Sequence, residues 1–178
     1  MINIILILVA IAVIIFFIVA ATQPSEFRII RTCTINAPAS AVFAQVNDFH
    51  KWDAWSPWAK LDPEATNSLE GPETGTGAIM RWAGNYKVGQ GSMTIMESRA
   101  DEFIRFKLEF LKPFTATNSA EFTFTSENDQ TTVSWCMYGH NNFMNKAIGL
   151  IMSSDKMVGG QFEKGLAALK SLVEAVGK

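Results

Sequence analysis

Three hydrophobic patterns follow one another along the chain. From Ile4 to Ala21 eighteen consecutive positions are apolar, and the first charged side chain is Glu26. From Phe27 to His140 apolar and polar residues largely alternate, with Gly, Asn and Asp at the breaks. From Val158 to Val176 the apolar residues return every three or four positions. A period of two marks strands with one buried face, and a period near 3.6 marks an amphipathic helix. A run that is apolar on every face has neither signature.

An apolar helix of about 20 residues spans the ~30 Å hydrocarbon layer while satisfying its own backbone hydrogen bonds. Ile2 to Ala21 reaches that length, and residues 1–22 read as a single-pass membrane anchor. The alternative is a cleaved secretory signal, with Val19-Ala20-Ala21 as the small-residue cleavage site. Against it, Met1-Ile2-Asn3 carries no Lys or Arg, and the run exceeds the ~7–15 residues of a signal core. A buried core helix would show a polar stripe, and this segment has none. The nearest cations, Arg28 and Arg31, lie on the C-terminal side, so the positive-inside tendency favours a cytoplasmic domain. Cleavage would instead leave the domain periplasmic or secreted. Residues 23–26, with Pro24 among small polar residues, form a short linker that stops the helix.

The alternating region reads as strands in hairpin rhythm. Phe27 to Ile35 is the first. Asn36-Ala37-Pro38 ends it and opens a helix over Ala39 to Asn47, with Asn36 or Ala37 near the N-cap, proline in the first turn, and Val42, Phe43 and Val46 buried. Trp52, Trp55 and Trp58 then fall three apart, along one side of a tight helical turn that Pro57 ends. Six strands follow, near Asn67–Glu70, Gly77–Ala83, Gly91–Ser98, Phe103–Phe110, Ala116–Thr125 and Thr131–His140. Gly84-Asn85, Ala100-Asp101 and Asn128-Asp129 supply their turns. A short helix, Phe143 to Met152, is expected to pack Ala147, Ile148 and Ile151. A long amphipathic helix then begins near Ser154-Asp155 and is stopped by Gly177.

The part after the linker, residues 27–178, is about 150 residues, the usual size of one domain with one core. The chain carries 15 basic and 17 acidic residues, for a formal charge of −2, spread without a basic cluster. Nucleic-acid binding needs a dense array of Lys and Arg, so no nucleic-acid partner is expected. The two cysteines, Cys33 and Cys136, have opposite parity in their strands, which predicts two free thiols.

An antiparallel sheet with one apolar face must bury it, and only the terminal helix is long enough to cover it. The fold class is therefore α+β, a curved antiparallel sheet of about seven strands wrapped around a long C-terminal helix. Several segments carry a more specific likeness. These are Ile35-Asn36-Ala37-Pro38 with Val42-Phe43, Trp52-Asp53-Ala54-Trp55-Ser56-Pro57-Trp58, and Gly75-Thr76-Gly77-Ala78 with Trp82. Gly89-Gln90-Gly91, Lys112-Pro113-Phe114, Thr132-Val133-Ser134-Trp135 and Phe162-Glu163-Lys164-Gly165-Leu166 extend it. Together they resemble the START-like, Bet v 1-like helix-grip superfamily (SRPBCC), in its polyketide cyclase/dehydrase and lipid-transport branch. That resemblance implies a cavity between sheet and helix. Its members include lipid carriers, hormone receptors, ring-closing enzymes and co-chaperones, so it speaks to fold more than to function.

A hydrophobic pocket needs apolar walls and missing volume. Met80, Trp82, Phe106, Leu108, Phe122, Phe124, Trp135 and Met137 have the parity of the concave face. Met152, Met157, Phe162, Leu166 and Leu169 would face them from the helices. The thioethers suit ligands of varied outline. Gly159, Gly160 and Gly165 each cost about 1 kcal/mol relative to alanine inside a helix, which close packing or room for a guest would explain. On the second reading, Gly165→Leu blocks binding in a folded domain. The tryptophan trio either closes one end of the core or places a ring at the headgroup level of a bilayer.

Signals for catalysis are few. His50 and His140 are the only imidazoles, and no His-Glu-x-x-His, Cys-x-x-Cys or Gly-x-Ser-x-Gly motif exists, so no metal, cofactor or catalytic residue is assigned. His140 beside Asn141 and Asn142 is more simply a turn histidine than a general base. Glu109 and Arg81 have outward parity and read as solvated. The expected function is membrane-tethered binding of a hydrophobic small molecule or lipid. A cyclase/dehydratase-like enzyme and a protein-interaction module at the membrane are the alternatives, and no protein partner is identified.

Overall fold

The computed structural model describes residues 2–151 and 153–176. Helix α1 spans Ile2–Thr22 and β1 spans Glu26–Ile35. Helix α2 (Ala39–Val46), a 3-10 turn (Phe49–Lys51) and the single-turn α3 (Trp52–Trp55) follow. Strands β2 (Thr66–Glu70), β3 (Ile79–Ala83), β4 (Gln90–Arg99), β5 (Phe103–Lys112), β6 (Ala116–Glu127) and β7 (Gln130–His140) precede helices α4 (Phe143–Ile151) and α5 (Ser154–Val176). All seven strands form one antiparallel sheet in the order β1-β7-β6-β5-β4-β3-β2. It is a meander whose last strand pairs with its first. The sequence expectation of fold class and strand number is met, most strands running a residue or two longer than the alternation indicates.

Local chemistry explains the boundaries. Asp101, Asn128 and Asp129 take positive φ in the β4–β5 and β6–β7 turns, a conformation that Asn and Asp tolerate better than other side-chain residues. Pro38 is itself the N-cap of α2, with extended backbone and no side-chain cap, so it sits one step earlier than the first-turn placement expected. Ser153 caps α5, its Oγ accepting from Lys156 N at 3.3 Å. The expected stop at Gly177 lies outside the described residues.

Strand register divides the sheet into two ends. At the end from which α1 emerges, Glu26 faces His140, Phe110 faces Ala116 and Ala83 faces Gln90. At the opposite end, Ile35 faces Thr131 and Glu127 faces Gln130. Helix α5 runs from the first to the second across the concave face, burying Phe162, Leu166, Leu169 and Val173. Ion pairs and hydrogen bonds lock it to β1. Arg31 donates to Glu163 at 2.6 Å and to both Asp155 carboxylate oxygens at 3.0 Å. Lys170 Nζ donates to Thr34 O at 2.7 Å, and Asn36 N donates to Glu174 at 2.8 Å.

The middle and distal core is aromatic. Trp52 and Trp55 are buried, with centroids 4.7 Å apart, and their indole N–H groups donate to Val46 O and Gln45 O. Trp135 stacks on Phe162 at 4.1 Å, and Phe43 meets Phe124 edge-on at 5.6 Å. Each such side chain contributes roughly 1.5–3 kcal/mol on burial. Of the tryptophan trio, Trp52 and Trp55 lie in the core, as the structural reading has it, and Trp58 is half-buried.

Two thiols are free: Cys33 is half-buried and Cys136 is buried. Cys136 lies opposite Ile30 on the convex side, and burial pushes its thiol above the ordinary value, away from nucleophilic use.

Helix α4 departs from expectation. It has no buried residue, and Ile151 is 77% exposed, so Ala147, Ile148 and Ile151 do not join the domain core. The helix lies instead beside α1, with Phe143 stacked on Phe17 at 5.9 Å.

Candidate ligand cavity

A cavity of about 410 Å³ lies between the concave face of the sheet, the α3–β2 connection and the start of α5. That volume falls within the ~300–1,000 Å³ of small-molecule pockets. On the three central strands the lining stops within one residue pair, reaching one pair further on β6 and β7, where Phe122 faces Trp135, than on β5, whose Ile104 faces Phe122. Phe110, Leu108 and Phe106 of β5 belong to it and Ile104 does not; Ala120 and Phe122 of β6 belong and Phe124 does not; Met137 and Trp135 of β7 belong and Val133 does not. On α5, Val158 and Phe162 line it. The hollow therefore occupies the half of the sheet nearer α1.

Seven of the sequence-predicted positions meet there: Met80, Trp82, Phe106, Leu108, Phe122, Trp135 and Met137, and Phe162 joins them from α5. Four others do not. Phe124 and Leu166 are buried in the filled half, as is Leu169. Met157 is 53% exposed, because Val158 and not its neighbour takes the inward position at this turn of α5. Met152 lies outside the described residues.

Sequence reading missed part of the wall. Met93 lines the cavity and pairs directly with Met80, so hairpin register was the signal that would have found it. Phe110 continues the parity of Phe106 and Leu108. Trp52 and Asp53 enter from α3 and Asn67 from β2, while Ser56, Trp58, Asp62 and Pro63 enter from the irregular connection between those elements, and the three-residue spacing of the tryptophans shows a turn without showing that it borders a cavity.

The glycines of α5 have physical explanations of two kinds. A Cβ on Gly165 would lie 2.8 Å from the Trp135 ring and 2.9 Å from Pro57, and one on Gly159 would strike the Arg31 guanidinium. Close packing accounts for both. Gly160 meets nothing within 4 Å. Gly165→Leu is therefore a packing defect and not a clean block of the cavity.

The polar groups of the lining are Ser56, Asp53, Asp62 and Asn67, without Lys, Arg or His. Asp62 also braces the rim, one carboxylate oxygen accepting from Asn85 N at 2.6 Å and the other from Glu64 N at 3.2 Å. His50 is exposed and contacts Asp48 at 2.9 Å, and His140 is exposed at the end of β7. Neither reaches the cavity. Glu109 pairs with Lys107 at 2.8 Å and Arg81 with Glu70 at 2.8 Å, as their outward parity predicts. Among the described residues no cluster of three metal-ligating side chains occurs.

Solved structures share this architecture. CV1439 from Chromobacterium violaceum aligns with 85% of this chain and 99% of its own, at 15% identity and a TM-score of 0.60. Ms6760 from Mycobacterium smegmatis aligns over 84% and 92%, at 14% identity and 0.58. BexL, a di-domain ARO/CYC protein of the BE-7585A biosynthetic pathway, aligns over 86% of this chain and 52% of its own, at 16% identity and 0.59. Identities this low establish the fold alone. A search of curated proteins finds no match. The family model described as polyketide cyclase / dehydrase and lipid transport matches residues 26–174, all of the sheet and nearly all of α5. With the sheet gripping its terminal helix and the matched span covering both, the chain belongs to the polyketide cyclase/dehydrase and lipid transport family.

Proposed function

We propose that the protein binds a hydrophobic small molecule or lipid in the cavity beside α5 while α1 holds it on a membrane. The observation that carries this reading is the 410 Å³ hollow walled by Met80, Met93, Leu108, Phe110 and Met137. Its walls combine apolar surface with adaptable thioethers, which accept ligands of varied outline. Helix α1 has the length and composition of a membrane span, with nearly all of its side chains unburied. A binder of poorly soluble molecules works best where those molecules partition. Arg28 and Arg31 favour the cytoplasmic side.

Charge in the lining narrows the ligand. Among the described residues the lining includes two carboxylates, Asp53 and Asp62, and no cation, and like charge at the rim opposes a second anion. The ligand is accordingly neutral or cationic at its polar end. Native mass spectrometry of detergent-extracted full-length protein tests occupancy. Displacement of a fluorescent probe by an alcohol, an amine and a carboxylate of one chain length tests polarity. The carboxylate is expected to compete worst, and equal competition by all three would remove the electrostatic argument.

Ring-closing or dehydrating chemistry is the second reading, since the family is described as polyketide cyclase / dehydrase as well as lipid transport. In this chain its acid–base groups would be Asp53 and Asp62, the ionisable side chains of the lining.

A further inference from the structure

The two ends of the sheet carry different chemistry at their hairpin tips. At the end away from α1 the β4–β5 and β6–β7 turns present Asp101, Glu102, Glu127 and Asp129, all exposed. At the α1 end the β3–β4 turn presents Tyr86, 84% exposed, beside Lys87, and the β5–β6 turn presents Leu111 and Phe114, 59% and 57% exposed, around Lys112. At these tips acid predominates at one end, with Arg99 among it, and aromatic, aliphatic and basic residues predominate at the other, where Glu26 and Glu64 are exposed acids. Helix α4 adds to the second end: Phe143 stacks on Phe17 of α1, Met144, Ile148 and Ile151 are exposed, and Lys146 is its single charge.

Exposed aliphatic and aromatic side chains at hairpin tips cost solubility unless something covers them. Aromatic rings and long cationic side chains are the residues favoured at the headgroup level of a bilayer. The connection between α1 and the domain restricts where the tips lie. Only Gln23, Pro24 and Ser25 separate α1 from β1, a span of at most ~10 Å. Ser25 O accepts from Asn141 N at 2.8 Å, and Lys146 Nζ donates to Ser25 Oγ at 2.9 Å. The linker is tied to the β7–α4 junction, so the α1 end of the sheet is held next to the point where α1 leaves the membrane.

We propose that the lipid bilayer covers this end: the Tyr86 and Leu111–Phe114 hairpin tips and the free face of α4 insert at the headgroup level beside α1. This rests on α1 being the membrane anchor and adds a fixed orientation to it. The cavity occupies the same half of the sheet, with Pro63, Ala65 and Val88 in its lining. A ligand then passes between acyl chains and cavity along a short path at the docked end, while the acidic hairpins point into water.

Spin labelling of the full-length protein in nanodiscs of phosphatidylcholine and phosphatidylglycerol tests the orientation. Single cysteines replace Leu111, Phe114 and Ile148, with Ile11→Cys as the bilayer reference and Asp129→Cys as the water reference, in a Cys33→Ser, Cys136→Ala background. The ratio of oxygen to water-soluble nickel-chelate accessibility is expected to be severalfold higher at 111, 114 and 148 than at 129. If Ile11 reads as lipid while 111, 114 and 148 read as water, docking is overturned and the anchor stands. If Ile11 itself reads as water, anchor and docking fall together. Tyr86→Cys on the second tip supplies an independent reading should one variant misfold.

Discussion

The two halves of the same sheet-and-helix sandwich are built from the same strands and the same α5, yet one is solid and the other hollow. Away from α1, helix α2 and the tryptophan turn insert Val42, Phe43, Val46, Trp52 and Trp55 between the layers. Toward α1 the cover is the α3–β2 connection, whose Trp58, Ala59 and Pro63 line the space without filling it, and Val158 and Phe162 are the side chains that α5 contributes to the lining. A curved sheet cannot be filled by one helix alone. What decides between core and cavity is the second covering element: a packed helix and tryptophan turn at one end, an irregular connection at the other that borders the space and leaves it open.

Substitutions at matched positions sharpen that contrast. The largest effect belongs to Phe124→Ala in the solid half, which should cost about 3–5 kcal/mol, whereas Leu108→Ala, at a wall already facing empty volume, should cost less than about 2 kcal/mol. Urea denaturation followed by tryptophan fluorescence compares them, and equal losses would abolish the distinction between the halves.

Enlarging side chains reverses the contrast. Leu108→Trp is expected to fill the hollow and weaken binding of an apolar fluorescent probe about tenfold, near 1.4 kcal/mol, while leaving the domain folded. Ile104→Trp, one pleat into the solid half, should instead unfold it. The glycines of α5 offer a milder version. Gly165→Leu collides with Trp135 and Pro57 and should cost about 1–3 kcal/mol, whereas Gly160→Ala meets open space and should gain up to about 1 kcal/mol. Thermal melts of the two variants moving in the same direction would contradict this packing account.

The smallest effect concerns the seam at β1. Hydrogen bonds from Arg31 hold the Asp155 carboxyl below its ordinary value of 3.8. A depressed carboxyl stabilises the fold above its unfolded pKa, and that contribution fades as pH falls through the folded value. Asp155→Asn should therefore flatten the acid limb of the stability profile below about pH 4 and change little at neutral pH, where solvent screens an exposed pair. A steeper acid limb in the variant would reverse the sign.

Much of this was legible in the residues. Alternation from Phe27 to His140 identified the strands because a sheet with one wet face imposes a period of two. The same parity placed Met80, Trp82, Phe106, Leu108, Phe122, Trp135 and Met137 on one surface. Parity gives a face and carries no information about what stands opposite it. Phe124 and Leu166 have the same periodic credentials as the lining residues, and it is Phe43 and the tryptophan turn that remove them from the cavity. Helix α4 failed for a related reason: Phe143 turns to α1 and Ile148 and Ile151 stay exposed, and amphipathicity cannot tell which surface an apolar face will meet.

By itself the sequence determined the apolar N-terminal helix, the antiparallel sheet, the terminal amphipathic helix and the outward parity of most charges, since each follows from local periodicity and burial. Only the tertiary structure decided where the hollow lies, that Ser56, Asp53 and Asp62 border it, and that one end of the sheet stands beside α1. Those outcomes depend on contacts between residues far apart in the chain, and on an irregular connection whose course no repeating pattern records.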